Sequence, residues 1–512
     1  MPQSKVLRYI KIAVGIILLL ILAGVAAQLF FTNKIKAVLN DNVPEELDFS
    51  YANLSTNVLL GKISLTDVSG NSPKKDIDFK AKSVTVSGLH YLPLFQNGDI
   101  TIANLTVETP SITYHQRKKD STSKEKGKIP SKNINIENFS VHKGTFKMLS
   151  QTSDSLATLQ GIEFTLSDIN FNQETSTQNI PFTYGEYQLH AEKGYYDLGP
   201  LEFIEFQQMQ LNPYDGLFQQ VVLRSKYNKA ELSKRLPHEH DHYDLTIDNL
   251  ILKDWDFGME NELPYFHLGH IQLQEPVFHV YRDKLLPDDT THKKLYNQAL
   301  RDLKLDLQVD FIQISQGLVT YEERLEADVD PKNLSFTDIE ATINNLHSKG
   351  SGMVVVNANA KLMGNGPFTL DWSFDPLSKS NDFLATGSLI NFESESISPF
   401  LKSNFNAEVK GTIQQMFFTI SGNEQESQGD MKMKYDKFEF TVLKKDRLGV
   451  NKLLTAVVNL FAKDGHKTDK DGFRHGNFKV ERNQDKSFFN YLWINLKEGL
   501  MDTMTGRGKK RK

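Results

Sequence analysis

Hydrophobic and polar residues alternate with a period of two along most of the chain between Ile63 and Val442. Val84 and Val86 alternate with serine and threonine, and similar short segments are separated by glycine, asparagine, aspartate and proline. Strands that bury one face and expose the other have this pattern. The sequence therefore predicts a mainly β fold, in which antiparallel β units form a curved sheet or groove with a few short helices. A sheet with one long apolar face must close into a barrel, pack against a second layer or bind an apolar ligand.

The chain also contains an internal repeat. Aligning Pro110 with Pro276 and Gly144 with Gly317 brings apolar residues into the same order on both sides. The first block places Ile102, Leu105, Val107, Ile112 and Tyr114 opposite Leu268, Ile271, Leu273, Phe278 and Val280; the second places Ile134, Ile136, Phe139, Val141, Phe146 and Met148 opposite Leu307, Val309, Ile312, Ile314, Val319 and Tyr321. Two related β units are predicted, at about 63–149 and 187–323. The alternative is that β-rich segments resemble each other by composition alone.

An apolar run at residues 12–31, with Gln28 as its only clearly polar member, follows Lys5, Arg8 and Lys11. At 1.5 Å per residue it spans about 30 Å, the thickness of a hydrocarbon core. The basic flank predicts a single-pass anchor with the N-terminus in the cytoplasm and the bulk of the chain outside. The alternative is a cleaved signal peptide that ends near Ala27.

The end of the chain is predicted to be helical and amphipathic. A short helix is predicted at 448–462, and residues 488–504 carry apolar side chains at helical spacing before a basic tail at 507–512. The candidates for contact with a membrane interface are Phe489, Leu492, Trp493, Leu496 and Leu500. The basic tail either binds anionic head groups or is simply solvated.

Five segments follow from these patterns. They are a transmembrane anchor (1–32), a first β unit (33–185), a related second unit (186–330) with an inserted helix at 287–302, a third β unit (331–445) and a helical tail (446–512). The inserted helix is expected to begin at Asp288 or Asp289 and to place Leu295, Ala299 and Leu303 on one face. The corresponding segment of the first unit, 117–128, is a charged loop of low complexity.

The composition and the absence of known motifs disfavour several classes of chemistry for this chain. The 512 residues include no cysteine and have a formal net charge of -5, which disfavours thiolate chemistry, disulfides and nucleic-acid binding. No hydrolase, phosphate-binding, zinc-protease or dinucleotide motif is present, so neither enzymatic activity nor a cofactor is predicted. His238, His240 and His242 would share a face of an extended strand and could bind a transition-metal ion. A solvated loop explains these histidines equally well.

The chain resembles the AsmA-like family of bacterial envelope proteins, in a form like that of the Bacteroidetes group. The matching features are the N-terminal anchor, Gly61-Lys62-Ile63, Gly98-Asp99-Ile100, Pro110-Ser111-Ile112, Val280-Tyr281-Arg282-Asp283-Lys284, Pro287-Asp288-Asp289, Gly366-Pro367-Phe368, Phe374, Gly387, Gly411, Gly429, Tyr435, Val480-Glu481-Arg482 and 487–493. Each motif is degenerate, but their order extends along most of the chain. The resemblance implies an inner-membrane anchor and a periplasmic, groove-like β structure related in fold to TamB and other bridge-like lipid-transfer proteins.

The resemblance also implies that the apolar inside of the sheet carries acyl chains and supports phospholipid transport or outer-membrane biogenesis. Membrane lipids are then the expected partners, with outer-membrane or envelope assembly proteins as further candidates. The residues predicted to line the groove are Val84, Val86, Ile102, Ile112, Ile134, Ile136, Leu307, Val309, Ile312 and Ile314. The competing hypothesis is a structural or regulatory scaffold for envelope assembly that binds no lipid.

Overall fold

The computed structural model describes residues 28, 32–33, 48–72, 76–96, 98–116, 133–177, 180–443 and 468–505. Most of these residues lie in strands, which confirms the predicted mainly β fold. They form two compact units. Unit 1 comprises the described residues up to Asp197 together with Gln207–Pro213, and unit 2 comprises Leu198–Phe206 together with the described residues from Tyr214 onward.

The strands of unit 1 are β1 (Asp48–Ser50), β2 (Asn53–Asn57), β3 (Lys62–Ser72), β4 (Ile77–Leu89), β5 (Ile100–Glu108), β6 (Ser111–His115), β7 (Ile134–Leu149), β8 (Ser155–Phe171), β9 (Tyr187–Ala191), β10 (Lys193–Asp197) and β12 (Gln208–Leu211). Its helical elements include α1 (Tyr91–Gln96) and a 3₁₀ turn at Thr175–Thr177. β3 pairs with β4, β4 with both β5 and β6, these two with β7, and β7 with β8. β9 and β10 follow along β8, and β12 pairs with β9.

The strands of unit 2 are β11 (Glu202–Phe206), β13 (Asp215–Ser225), β14 (Asp241–Glu260), β15 (Leu263–Gln274), β16 (Val277–Asp283), β17 (Asp306–Arg324), β18 (Leu334–His347), β19 (Val354–Leu362), β20 (Gly366–Phe374), β21 (Phe383–Glu393), β22 (Ala407–Gly422), β23 (Glu426–Val442) and β24 (Arg474–Glu481). β14 pairs with β13, β15 and β16, and β17 pairs with β15, β16 and β18. From β18 to β24 each strand pairs antiparallel with the next.

The two units contain the same strand motif, in agreement with the predicted repeat. In unit 1, β5 and β6 lie end to end between the long strands β4 and β7 and are separated by Thr109-Pro110. In unit 2, β15 and β16 lie end to end between β14 and β17 and are separated by Glu275-Pro276. The sequence alignment is also the structural one. Ile102 pairs with Ile136 in the first copy, and their counterparts Leu268 and Val309 pair in the second.

The proline and the glycine of the repeat meet in both copies. A Cβ added to Gly144 would lie 3.1 Å from Cβ of Ile162 and 3.4 Å from Cγ of Pro110. The equivalent distances at Gly317 are 3.1 Å to Ile339 and 3.4 Å to Pro276. A residue with positive φ precedes each member of the pair, at Thr109, Lys143, Glu275 and Gln316. Glycine therefore permits the close packing at this point, and proline breaks the strand because it donates no backbone hydrogen bond.

Pairing within the motif differs from the prediction in one respect. The predicted units were antiparallel, but β5 and β6 run parallel to β7, and β15 and β16 run parallel to β17. Parallel neighbours need a connection of about a dozen residues or more. Both copies have one, at 116–133 and at 284–305. The segments 116–133 and 284–305 differ in sequence, but each connects the parallel strands of its own copy.

The helices of unit 2 are α2 (Lys229–Arg235), α3 (Tyr296–Arg301), α4 (Ser398–Phe405) and α5 (Phe488–Thr505), with a 3₁₀ turn at Ser394–Ile397. α5 lies on β23 and β24 and closes an apolar core between the helices and the last strands. Its bounds agree with the predicted helix at 488–504. The helix predicted at 448–462 lies outside the described residues.

The helix predicted at 287–302 is much shorter than expected. Only α3 is helical, and it begins at Tyr296. The Asp289 side chain accepts a 2.9 Å hydrogen bond from the Thr291 backbone and pairs with Lys293, but residues 290–295 are not helical. Leu295 is buried just before α3, while Leu303, which was predicted to share its helix face, is 36% exposed.

Within the described residues, no helix combines the length and apolarity needed to cross a bilayer. The predicted anchor at 12–31 lies outside the described residues apart from Gln28.

Candidate functional site

Two adjacent rows of apolar side chains cross the sheet of unit 1. Members of a row are direct cross-strand partners, and the rows are two residues apart on every strand they share, so they lie on one face. The first row is Leu54, Leu65, Val84, Val107, Val141, Phe164, Leu189 and Leu211; the second is Ile63, Val86, Leu105, Phe139, Leu166 and Tyr187. We call these two rows the apolar face.

The reverse side of the same strands is polar. The residues between the two apolar rows form a third cross-strand row: Ser64, Thr85, Thr106, Ser140, Thr165 and Gln188. The Ser64 and Thr85 hydroxyls lie 2.9 Å apart, and Ser140 donates to Thr106 over 3.1 Å. Along these three rows the sheet is therefore amphipathic, with apolar side chains on one side and hydroxyl and amide groups on the other.

The apolar face is only partly covered. Leu54, Leu65 and Val107 are buried, while the other members of both rows keep intermediate exposure. Among the residues that the structure describes in unit 1, no second sheet and no long helix packs across these rows. The local core contains Leu54, Leu65, Val68, Ala81 and Val107, all from neighbouring strands of the same sheet. The apolar face is thus partly buried by side chains of neighbouring strands in the same sheet.

The predicted groove residues of unit 1 fall into several cross-strand rows. Val84 and Val86 belong to the apolar face. Ile102 is buried and pairs with Ile136, and Ile134 pairs with Ile100 and Phe171. Ile112 lies farther along, between Phe79 and Phe146.

The predicted groove residues of unit 2 are packed more deeply. Val309 and Ile312 are buried in one cluster with Leu268, and Leu307 packs against that cluster. Ile314 pairs with Leu273 and Ala341 and is partly buried.

Most of the predicted membrane-interface residues pack inside unit 2. Leu492 is buried, Leu496 and Leu500 pack against the core, and Trp493 stacks on Phe405 with ring centroids 5.6 Å apart. Phe489 is 60% exposed. The apolar stripe seen in the sequence thus serves mainly to hold α5 on the sheet.

The histidine segment is engaged in ion pairs. β14 begins at Asp241, so His238 and His240 precede the strand instead of sharing its face. His240 contacts Glu202 at 2.7 Å, and Arg282 binds both carboxylate oxygens of Asp241 at 2.6 and 2.7 Å. Within the described residues, no three potential ligands are gathered in a metal-binding arrangement.

Glu239 is the most enclosed member of this segment. Its side chain is 4% exposed and pairs with Lys284 at 2.6 Å and Lys486 at 2.7 Å. Burial favours a higher pKa for Glu239, but the two ammonium groups outweigh burial and place its pKa below the usual value. Lys486 also pairs with Asp288 at 2.8 Å. These contacts connect the segment before α5 to the start of β14 and to the crossover after β16.

Most residues of the apolar face lie outside the predicted groove residues. Leu105, Val107 and Val141 were noted only as members of the repeat, although their alternation carried the same signal as that of Val84. Leu189 and Leu211 lie on strands of five and four residues, which are too short for a clear period of two.

No family model matches the chain, and no curated protein matches it. The fold and the site thus define a class only: a mainly β protein that contains two copies of one mixed-sheet motif. The resemblance to the AsmA-like family stays a prediction.

Proposed function

We propose that the protein binds lipid acyl chains on the apolar face of unit 1. One observation supports the proposal above all. Two apolar cross-strand rows lie on one side of the sheet, and a hydroxyl-rich row lies on the other side of the same strands. Each methylene removed from water gains about 0.8 kcal/mol. An extended acyl chain lying across the rows would therefore be held by many small contacts without a closed pocket.

The biological setting proposed with this activity is the bacterial envelope. The run at 12–31 anchors the protein in the inner membrane, the bulk of the chain is periplasmic, and acyl-chain binding supports phospholipid transport or outer-membrane biogenesis. The anchor's basic N-terminal flank and the resemblance described above support this setting.

A scaffold without lipid is the second candidate, and one observation favours it for the end of unit 2. There α5 covers the last strands, and Phe488 stacks on Trp372 with ring centroids 4.5 Å apart. A core filled by the protein's own side chains leaves no apolar surface for a ligand. The two hypotheses therefore differ in what they require of the apolar face of unit 1.

Photo-crosslinking of the full chain in its native membrane tests the proposal. A phospholipid with a diazirine in its acyl chain is expected to label the two apolar rows and to spare the polar row. Val86→Asp and Phe139→Asp are expected to reduce that labelling strongly, because a carboxylate is poorly tolerated beside hydrocarbon.

Matched controls lie one residue away on the same strands. Thr85→Asp and Ser140→Asp place the same charge on the reverse side and are expected to retain labelling. Circular dichroism establishes that each variant is folded. Equal labelling of both faces, or labelling unaffected by Val86→Asp and Phe139→Asp, would rule out the proposed function and favour the scaffold.

A further inference from the structure

The turn between β2 and β3 has an unusual surface. Leu59 is 96% exposed and Leu60 is 66% exposed. Nearby, α1 presents Leu92 at 68% exposure. Turns in water are normally built from polar residues, glycine and proline. Three exposed leucines at one tip therefore indicate a surface that meets an apolar environment.

Hydrogen bonds hold the elements of this tip together. The Tyr91 hydroxyl at the start of α1 donates to the Val58 carbonyl over 2.6 Å, and the Leu89 amide donates to the Gly61 carbonyl over 3.2 Å. The turn itself is closed by a 3.2 Å bond from the Gly61 amide to the Val58 carbonyl. The leucines are thus presented by a fixed tip formed from the β2–β3 turn and α1, which we call the leucine tip.

The same tip is bonded to the end of the apolar N-terminal run. Gln28, the only clearly polar residue of 12–31, donates to the Thr56 hydroxyl at 2.9 Å and accepts from the Val58 amide at 3.1 Å. The Thr32 hydroxyl lies 2.5 Å from that of Thr56. A polar residue at the end of a membrane-spanning run is expected near the boundary between hydrocarbon and water. If the run spans a bilayer, its contacts with Thr56 and Val58 place the leucine tip level with that boundary.

We propose that the leucine tip inserts into the bilayer surface in which the 12–31 run is anchored. The occupant of this apolar surface is a lipid membrane, because the tip is bonded directly to the end of the run. Lys62 next to the turn is exposed and matches an anionic head group.

This contact would place one edge of the apolar face at the membrane. Leu54 and Leu65, the first cross-strand pair of the face, lie on the two strands that the turn connects. Acyl chains would then enter the face from the bilayer at β2 and β3. This consequence rests on the proposed acyl-chain binding, whereas insertion of the tip rests only on the proposed membrane anchor at 12–31.

The absence of cysteine from the chain allows a direct test. Full-length L60C and L92C are labelled with an environment-sensitive fluorophore and reconstituted in phosphatidylethanolamine and phosphatidylglycerol vesicles. L377C is the control, since Leu377 is 45% exposed in unit 2. Labels at 60 and 92 are expected to show blue-shifted emission and quenching by a phospholipid with a shallow nitroxide. The label at 377 is expected to show neither.

Two results would overturn the proposal. One is water-like, unquenched emission at 60 and 92, equal to that at 377. The other is blue-shifted emission that nitroxide lipid does not quench, because this would identify a second copy or another protein segment as the occupant. Neither result depends on acyl-chain binding to the apolar face, so failure of the tip and failure of the proposed function are separable.

Discussion

The two copies of the repeated motif share their topology but differ in burial at two aligned positions of β7 and β17. In the first copy, Ile136 and Phe139 are partly buried; in the second, their counterparts Val309 and Ile312 are 2% and 8% exposed. The strand after the second copy explains the difference. Ile343 on β18 packs both against the cluster around Val309 and against the core that α5 covers. The second copy is thus continuous with a helix-covered core.

The strand ends of the two copies differ in the same direction. In the first copy, His115 on β6 meets Asp78 on β4, and both side chains are more than 40% exposed. In the second, Arg282 on β16 meets Asp241 on β14, with 19% and 14% exposure. One motif can therefore be fixed tightly or left partly open, and the residues that follow it decide which. The partly open copy is the one that carries the proposed acyl-chain site.

The largest expected effect comes from placing a charge at one aligned position of each copy. Val309→Asp buries an unpaired carboxylate and is expected to cost more than about 4 kcal/mol. Ile136→Asp is expected to cost less than half as much. Chemical denaturation followed by circular dichroism measures both. Tryptophan fluorescence follows unit 2 alone, because Trp255, Trp372 and Trp493 all lie there. Equal losses would contradict the difference in burial between the copies.

The helix cover of unit 2 can be tested with two neighbouring phenylalanines. Phe488 is 5% exposed and packs on Trp372 and Phe383, whereas Phe489 is 60% exposed. Phe488→Ala is expected to cost about 3–4 kcal/mol of unfolding free energy. Phe489→Ala is expected to stay within about 0.5 kcal/mol of the wild type. Similar effects of the two substitutions, measured by denaturation, would show that α5 contributes little to the stability of the core.

The repeat and the strands could be predicted because they depend on local signals. Alternation identified the strands, and the coincidence of Pro110 with Pro276 and of Gly144 with Gly317 identified the motif. Burial could not be predicted in the same way, because Val309 and Ile136 carry equivalent patterns and differ only through distant packing. The ion pairs of Glu239 escaped prediction for a related reason: its partner Lys486 is 247 residues away in the sequence.

The side-chain pairs at the strand ends provide a smaller test of the same comparison. Arg282→Met leaves the mostly buried Asp241 without its counter-ion and is expected to cost about 3 kcal/mol. Asp78→Asn breaks the exposed pair of the first copy and is expected to cost less than about 1 kcal/mol. Thermal or chemical denaturation of the two variants measures the difference. A loss from Asp78→Asn as large as that from Arg282→Met would remove the contrast between the copies.

The smallest expected effect depends on pH. The pKa of Glu239 is below its usual value, so the folded state favours the carboxylate. Its stabilising contribution is present above the unfolded pKa of about 4.3 and is lost as the pH falls through the folded pKa. Glu239→Gln is expected to cost about 1 kcal/mol at pH 7. That difference should shrink as the pH falls below about 4, because the wild-type carboxylate becomes protonated.

The control for this pH dependence lies in unit 1. Glu163 also has a lowered pKa: burial favours a higher value, but the 2.7 Å contact with His142 and a hydrogen bond from the Lys143 backbone outweigh it. Its side chain is 45% exposed, so solvent screens the pair and Glu163→Gln is expected to change stability by less than about 0.5 kcal/mol at any pH. Unfolding free energies measured between pH 3 and 7 distinguish the two sites. A difference for Glu239→Gln that stays constant down to pH 3 would show that the ion pairs with Lys284 and Lys486 do not hold its pKa low.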